Sequence, residues 1–286
     1  MENSKRNILN SFFTRNTFRH IIEEGNDIAY VSVIERYIDT PDHKMNAELV
    51  SEIYNVLRKD YRNEYFYKNT LLNKLLLGVH SINTTTALTE IPIERSKADF
   101  VLINGKAVVY EIKTELDNLD RLESQINDYY RAFDHVVVVT CKDNLPELEK
   151  KIMMMEKPVG IYVLQKQGRL SPIRMPGKFS DLIDKETLFK ILRKAEYEDI
   201  ILSKYKSLPE VTQFKYYSEC KKLFLKISID EVYELFMMQL KKRSHIVKKE
   251  LEDIPYEIKF LAYFMELRDF EYKKLSAFLN SAYGGI

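Results

Sequence analysis

The sequence predicts an α/β fold, a mixed sheet flanked by helices with further helical extensions at both ends. Three observations carry that prediction. Residues 98–113 hold two apolar, strand-like runs on either side of Asn104-Gly105, the strongest short hairpin signal. The run His135-Val-Val-Val-Val-Thr140 is short, apolar and β-branched, as a strand buried on both faces is. Around these segments apolar residues recur at helical spacing.

Residues 1 to about 80 read as helical, with punctuation at Asn26-Asp27 and Thr40-Pro41-Asp42. The clearest piece runs from Asn63 to Leu77: Leu72, Leu75 and Leu76 form an apolar stripe, and Glu64 and Lys68 share another face at i,i+4 spacing. β-Branched residues then take over at Thr84-Thr85-Thr86 and Ile91-Pro92-Ile93, followed by strands over Ala98–Ile103 and Lys106–Lys113. A helix is predicted from about Leu116 to Phe133, a strand over His135–Thr140 and another over Val159–Leu164. After Pro172 and Pro176-Gly177 the pattern is helical to the end, including Leu188–Tyr205, Ile229–Lys242 and Ile258–Leu279. This divides the chain into a helical segment 1–60, an α/β core 61–170 and a helical region 171–286.

At 286 residues the chain buries a sizeable core without staples, and its two cysteines, Cys141 and Cys220, are too few for a structural zinc cage. No apolar run approaches the ~18–20 residues of a membrane span, and the opening Met1-Glu-Asn-Ser-Lys-Arg6 leads into no apolar signal segment, which points to the cytoplasm. Lys and Arg number 44 against 43 Asp and Glu, so the net charge of +1 offers no general attraction to polyanions. Any nucleic-acid site must be a local patch. With 8 glycines and neither GxGxxG nor GxxxxGK[ST], nucleotide-binding loops of those kinds are disfavoured. His20, His43, His80, His135 and His245 are scattered and lack zinc-ligand spacing.

The chemistry-bearing stretch is Asp99 followed by Glu111-Ile112-Lys113. Converging carboxylates suit Mg²⁺ or Mn²⁺, because hard cations take oxygen ligands, and a nearby lysine can position water and offset phosphate charge. Glu-x-Lys alone is common here, recurring at Glu149, Glu219, Glu257 and Glu271. Only at Glu111 does it end a strand whose hairpin partner carries an aspartate. Alternation puts Glu111 and Lys113 on one face. A strict two-residue Asn104-Gly105 loop pairs Asp99 with Tyr110 and sends Asp99 to the opposite face, whereas a three-residue loop with a glycine bulge brings both carboxylates to the same face. A shared metal requires that bulge or another irregularity near Ser96-Lys97.

Asp99-x11-Glu111-x-Lys113 across a hairpin, in an α-β-β-β-α-β order, resembles the PD-(D/E)XK nuclease superfamily. The stretches Ser96-Lys-Ala-Asp-Phe-Val101, Tyr110-Glu-Ile-Lys-Thr-Glu-Leu-Asp-Asn-Leu-Asp-Arg-Leu122, Gln125-Ile-Asn-Asp-Tyr129 and Phe133-Asp134 are similar to the sce7726 family of nucleases. The resemblance spans about residues 62–245 and is densest over 90–140. It departs from the superfamily name in having Ala98 where the motif has proline.

The resemblance implies Asp99 and Glu111, with Ile112 at the backbone, as ligands of Mg²⁺ or Mn²⁺, and Lys113 as the catalytic lysine. Gln125 and Tyr129 match the Gln-x-x-x-Tyr helix motif of RecB-like members. Glu64 is the candidate for a further acidic ligand from the helix before the sheet, with Glu90 its rival. Asp117, Arg121, Gln125 and Tyr129 recur every four residues, which on a helix is one stripe; Arg121 and Lys68 are candidate phosphate contacts, and Arg121 can equally pair with Asp117. The basic cluster Lys241-Lys242-Arg243 with Lys248-Lys249 reads either as a phosphate contact or as cations stabilised at a helix C-terminus. Met153-Met154-Met155 and Met237-Met238 read as core filler. The implied activity is metal-dependent phosphodiester hydrolysis, on DNA in preference to RNA. The alternative is a non-catalytic module on a nuclease-like scaffold, whose helical C-terminal region meets nucleic acid, a protein partner or a second copy.

Overall fold

The computed structural model describes residues 8–78, 84–243 and 251–284. In chain order the elements are α1 (Arg15–Glu24), α2 (Ile28–Tyr37), α3 (Asn46–Asp60), α4 (Glu64–Leu71), β1 (Thr86–Ile93), β2 (Ser96–Asn104), β3 (Lys106–Lys113), α5 (Leu122–Tyr130), β4 (His135–Thr140), α6 (Leu145–Met154), β5 (Gly160–Leu164) and β6 (Leu170–Arg174). There follow α7 (Lys185–Ile191), α8 (Lys194–Tyr205), α9 (Gln213–Lys226), α10 (Ile229–Lys241), α11 (Lys259–Met265) and α12 (Asp269–Leu279). No helix among the described residues is long and apolar enough to cross a membrane.

Packing divides the chain into two compact units: Met1–Asn83 with Leu164–Leu170 and His245–Ile286, and Thr84–Val163 with Ser171–Ser244. The cuts fall after residues 83, 163, 170 and 244, because tertiary packing gathers segments that composition sees only as neighbours in sequence.

The first unit is helical. Its turns form where short polar side chains replace missing helical partners: Thr14 accepts from the Thr17 N–H, Asp27 from Ala29 and Asn63 from Phe66. The helix expected over Asn63–Leu77 is regular only to Leu71 and continues as a π turn over Leu72–Leu76. The predicted helix Ile258–Leu279 is two, α11 and α12, separated at Glu266 in the left-handed region (φ 50°) and restarted by Glu271, whose side chain accepts from the Arg268 N–H.

The second unit is built on the sheet, whose strand order is β1-β2-β3-β4-β5-β6. The β1–β2 and β2–β3 pairs are antiparallel, and β3–β4 and β4–β5 are parallel. A parallel pair needs a crossover, and α5 and α6 supply the two required here. One face buries Val101, Ile103, Val109, Val136 and Val138 against Ile126, Tyr129 and Phe133, with Leu188, Ile200, Phe224 and Phe236 from the later helices. Both edge strands carry a proline, Pro92 in β1 and Pro172 in β6. Pro172 hides β6 from a sequence reading, because proline in a run argues against a strand except at an edge.

The predicted helix Leu188–Tyr205 is also two. Leu192 and Arg193 are extended, the Ile191 carbonyl accepts from the Arg243 guanidinium, and Glu196 folds back on the Arg193 N–H at 2.7 Å to start α8. Met153 and Met154 are not core filler: at the exposed end of α6 they are 79% and 71% exposed, and Met238 is exposed too. Met155 and Met237 do pack against the core.

Gly105 sits alone between the paired Asn104 and Lys106 at φ +70°. No atom would touch an added Cβ, so only backbone strain opposes a substitution. Gly105→Ala is therefore expected to lower stability by about 1 kcal/mol in urea unfolding.

Candidate active site

The hairpin register settles which residues lie level. With Asn104 opposite Lys106, the ladder runs through Ile103↔Ala107 to Phe100↔Tyr110, and one further step brings Asp99 level with Glu111 and not with Tyr110. The ladder stops at that step. The Asp99 carboxylate itself takes the Ile112 N–H, at 2.8 Å from Oδ2, so Ile112 enters the site as a donor through its amide.

The β1–β2 ladder is interrupted at the same level. Thr89 pairs with Phe100 and Ile91 with Ala98, and the register skips the level of Glu90 and Asp99 between them. Leu88 and Ile91, like Val101 and Ala98, all contribute to the same core, so alternation resets on both strands here. Glu90 achieves this with φ +58°, uncommon for a residue with a Cβ. The Asp99 carbonyl accepts from the Thr89 hydroxyl at 2.7 Å. Glu90 pairs with Lys97 and offers a carboxylate oxygen within 4.8 Å of one from Asp99.

Beyond the gap, β3 and α5 build a closed network. Glu111 is 2% exposed, and burying its charge requires full pairing. Its Oε1 accepts from Lys113 Nζ at 2.8 Å and from Gln125 Nε2 at 2.6 Å, and its Oε2 accepts from the Tyr129 hydroxyl at 2.5 Å. Lys113 Nζ also donates to Gln125 Oε1 at 2.8 Å, closing a ring of three side chains. Tyr129 OH lies 3.1 Å from the Lys97 carbonyl oxygen. Burial, then the Glu111 carboxylate and more weakly Asp99, hold the Tyr129 phenol far above its usual pKa, so it remains a donor. Ser96 Oγ donates to Asp128 Oδ2 at 2.7 Å, fastening α5 to the start of β2.

Two expected members, Asp117 and Arg121, stand outside this network. α5 begins at Leu122, not near Leu116, so Asp117 and Arg121 do not share its stripe with Gln125 and Tyr129. Asp117 Oδ2 instead accepts from both the N–H and the hydroxyl of Thr114 in a turn, the competition by which short polar side chains displace helix. Arg121 is exposed at the position before the helix. Glu64 opens α4 in the first unit, 2.5 Å from the buried Lys68, which is thereby engaged. Arg243 is no phosphate contact: its guanidinium is buried against Glu196 at 2.6 Å. Lys242 pairs with Asp199, and Lys248, Lys249, His80 and His245 lie outside the described residues.

Thr89, Ser96 and Asp128 complete the surroundings; nothing local marks the bonds they make, since their partners lie 10 and 32 residues away. Chemically the assembly offers a buried carboxylate clamped by a cation, an amide and a phenol, next to two further carboxylates at a gap in the sheet. An all-oxygen acidic set of this kind fits Mg²⁺ or Mn²⁺ in preference to a soft metal.

Comparison with known proteins places these residues in a family. The profile described as bacteriophage P4 protein cII matches residues 57–255, a stretch that contains Asp99, Glu111, Lys113, Gln125 and Tyr129. Among curated proteins the chain is similar to Protein cII of Enterobacteria phage P4, at 24% identity over 160 residues that cover 54% of this chain and 57% of that protein. The chain thus matches little more than half the length of that relative. No solved structure matches it. With most of its length inside the profile, the chain belongs to the bacteriophage P4 protein cII family.

Proposed function

We propose that the protein is a metal-dependent nuclease that hydrolyses phosphodiester bonds, in DNA rather than RNA, at the gap between β2 and β3. The observation that carries this reading is the interrupted ladder at Asp99, level with a Glu111 carboxylate that bears Lys113, Gln125 and Tyr129. Asp99 and Glu111 would hold Mg²⁺ or Mn²⁺. Bound there, the cation would polarise the phosphodiester and acidify a water ligand. Lys113 would exchange part of its contact with Glu111 for the attacking water or a phosphate oxygen. Gln125 and Tyr129 would keep the carboxylate oriented while that exchange occurs.

The test is incubation with single-stranded DNA, duplex DNA and RNA in Mg²⁺ or Mn²⁺, beside Asp99→Ala and Lys113→Arg, the second chosen because it keeps the buried positive charge. Cleavage is expected to need the metal, to stop in EDTA, and to fall by about 100-fold or more in either variant, the scale of a lost catalytic group. Cleavage that survives both substitutions would remove these residues from the site.

A second reading has its own observation. Lys113, Glu111 and Gln125 bond to one another in a closed ring, which also suits a non-catalytic module that binds nucleic acid or protein on a nuclease-like scaffold. Failure to cleave any substrate, together with no Mn²⁺ binding by calorimetry, would favour it.

A further inference from the structure

A chain with net charge +1 can meet nucleic acid only through a local patch, and in the basic cluster expected to supply one Arg243 and Lys242 are paired with Glu196 and Asp199. α9 offers another. Its inner side buries Cys220 and Phe224. At 100° per residue the opposite side carries Lys215, Ser218, Lys222 and Lys226, with Lys221 at its margin. Glu219 is the helix's one acid against these four lysines. Phe214, 96% exposed, is the most exposed large apolar side chain among the described residues. Tyr217, one turn on and 52% exposed, turns instead toward the buried side, its ring packed on Phe189 at 5.2 Å and Tyr197 at 6.2 Å between centroids.

We propose that this face of α9 binds single-stranded nucleic acid, Phe214 at its edge stacking on a base and Lys215 and Lys222 meeting phosphates. Aromatic platforms among cations are how single strands are held without base-specific hydrogen bonds. The apolar surface here is a single exposed ring beside lysines. A protein interface would deplete lysine and present a broader apolar centre, and a helix lying on a membrane would turn a wide apolar face outward, which α9 spends on the core. Lys222 pairs with Glu219 and Lys221 with Glu186, but exposed pairs of this kind are weak and readily exchanged for phosphate. Lys215 and Lys226 form no ion pair among the described residues. The inference does not rest on the nuclease reading, because binding requires neither Asp99 nor a metal.

The experiment uses the full chain and a labelled 20-nucleotide oligothymidylate, with fluorescence anisotropy in EDTA so that hydrolysis plays no part. Phe214→Ala is expected to weaken binding about 5-fold or more, the effect of losing one stacked base, with an unchanged melting temperature because the ring is exposed. Lys215→Gln with Lys222→Gln should weaken binding and flatten the dependence of log K on log salt by about 0.7 per lysine. The chain has no tryptophan, so Phe214→Trp places a single reporter whose emission should be quenched when the oligonucleotide stacks on it. Affinity unchanged by Phe214→Ala and by the lysine pair would overturn the proposal, as would no binding by the wild type. So would self-association in sedimentation velocity that Phe214→Ala abolishes while oligonucleotide affinity stays the same, which would make the face a contact between copies.

Discussion

Lys113→Met is expected to lower stability by about 3–5 kcal/mol, the usual result of stripping one partner from a buried ion pair. Glu111 is 2% exposed and Lys113 8%, so water cannot take over the lost contact. The carboxylate would keep Gln125 and Tyr129 as donors but lose the only cation that touches it among the described residues. The double variant Lys113→Met with Glu111→Gln should recover most of the loss, because a neutral amide among neutral donors carries no unpaired charge. Urea unfolding of the four proteins of that cycle measures the coupling, expected at the upper end of the ~0.5–3 kcal/mol found between neighbours in contact. A loss under 1 kcal/mol in the single variant would show that Lys113 does not hold the carboxylate in place. The same double variant bears on mechanism: folded but unable to cleave, it would separate the chemistry of the pair from its structural part.

Arg243→Met is the second large effect, again about 3–5 kcal/mol. Nε and Nη2 each lie 2.6 Å from a Glu196 oxygen, a bidentate pair whose side chains are 8% and 12% exposed, and Nη2 also donates to the Ile191 carbonyl at the break between α7 and α8. Burial pushes the Glu196 carboxyl upward. The Arg243 hydrogen bonds, the Arg193 N–H and the two positive charges outweigh it and hold the group below the usual glutamate range. A carboxyl depressed in the folded state contributes stability that is present in full above its unfolded value of about 4.3 and is lost as pH falls through the folded value. The difference between wild type and Arg243→Met should therefore be largest near pH 7 and shrink on acidification below about pH 4. A difference that stays constant across that range would mean the arginine acts through packing of its stem alone.

Much of the second unit was legible because its signals are local. Asn104-Gly105, the valine run at 135–140 and the order of helix and strands are all written in neighbouring residues, and the structure builds a hairpin, a central parallel strand and α5 from them. Gln125 and Tyr129 fall one turn apart on α5, as their spacing requires. What escaped is non-local. The break at Leu192 depends on Arg243, some fifty residues on, and the reset of alternation at Asp99 depends on Glu90 adopting a left-handed backbone on the adjoining strand. α6 went unmarked and α9 was read as helix without bounds, since both are rich in charged residues and α9 buries only Cys220 and Phe224 fully. Asp117 and Arg121 fit a four-residue period by coincidence; period alone does not say where a helix starts, and the Thr114–Asp117 turn decided it.

The prolines at the two rims of the sheet have a consequence for how copies of this protein behave in a crowded solution. Each removes an amide hydrogen from a margin where a stray strand would otherwise dock, so Pro92 and Pro172 act as stops against runaway growth of the sheet from molecule to molecule. Valine in their place would leave the fold intact yet open a route to fibrous assembly, visible as thioflavin fluorescence rising on prolonged incubation.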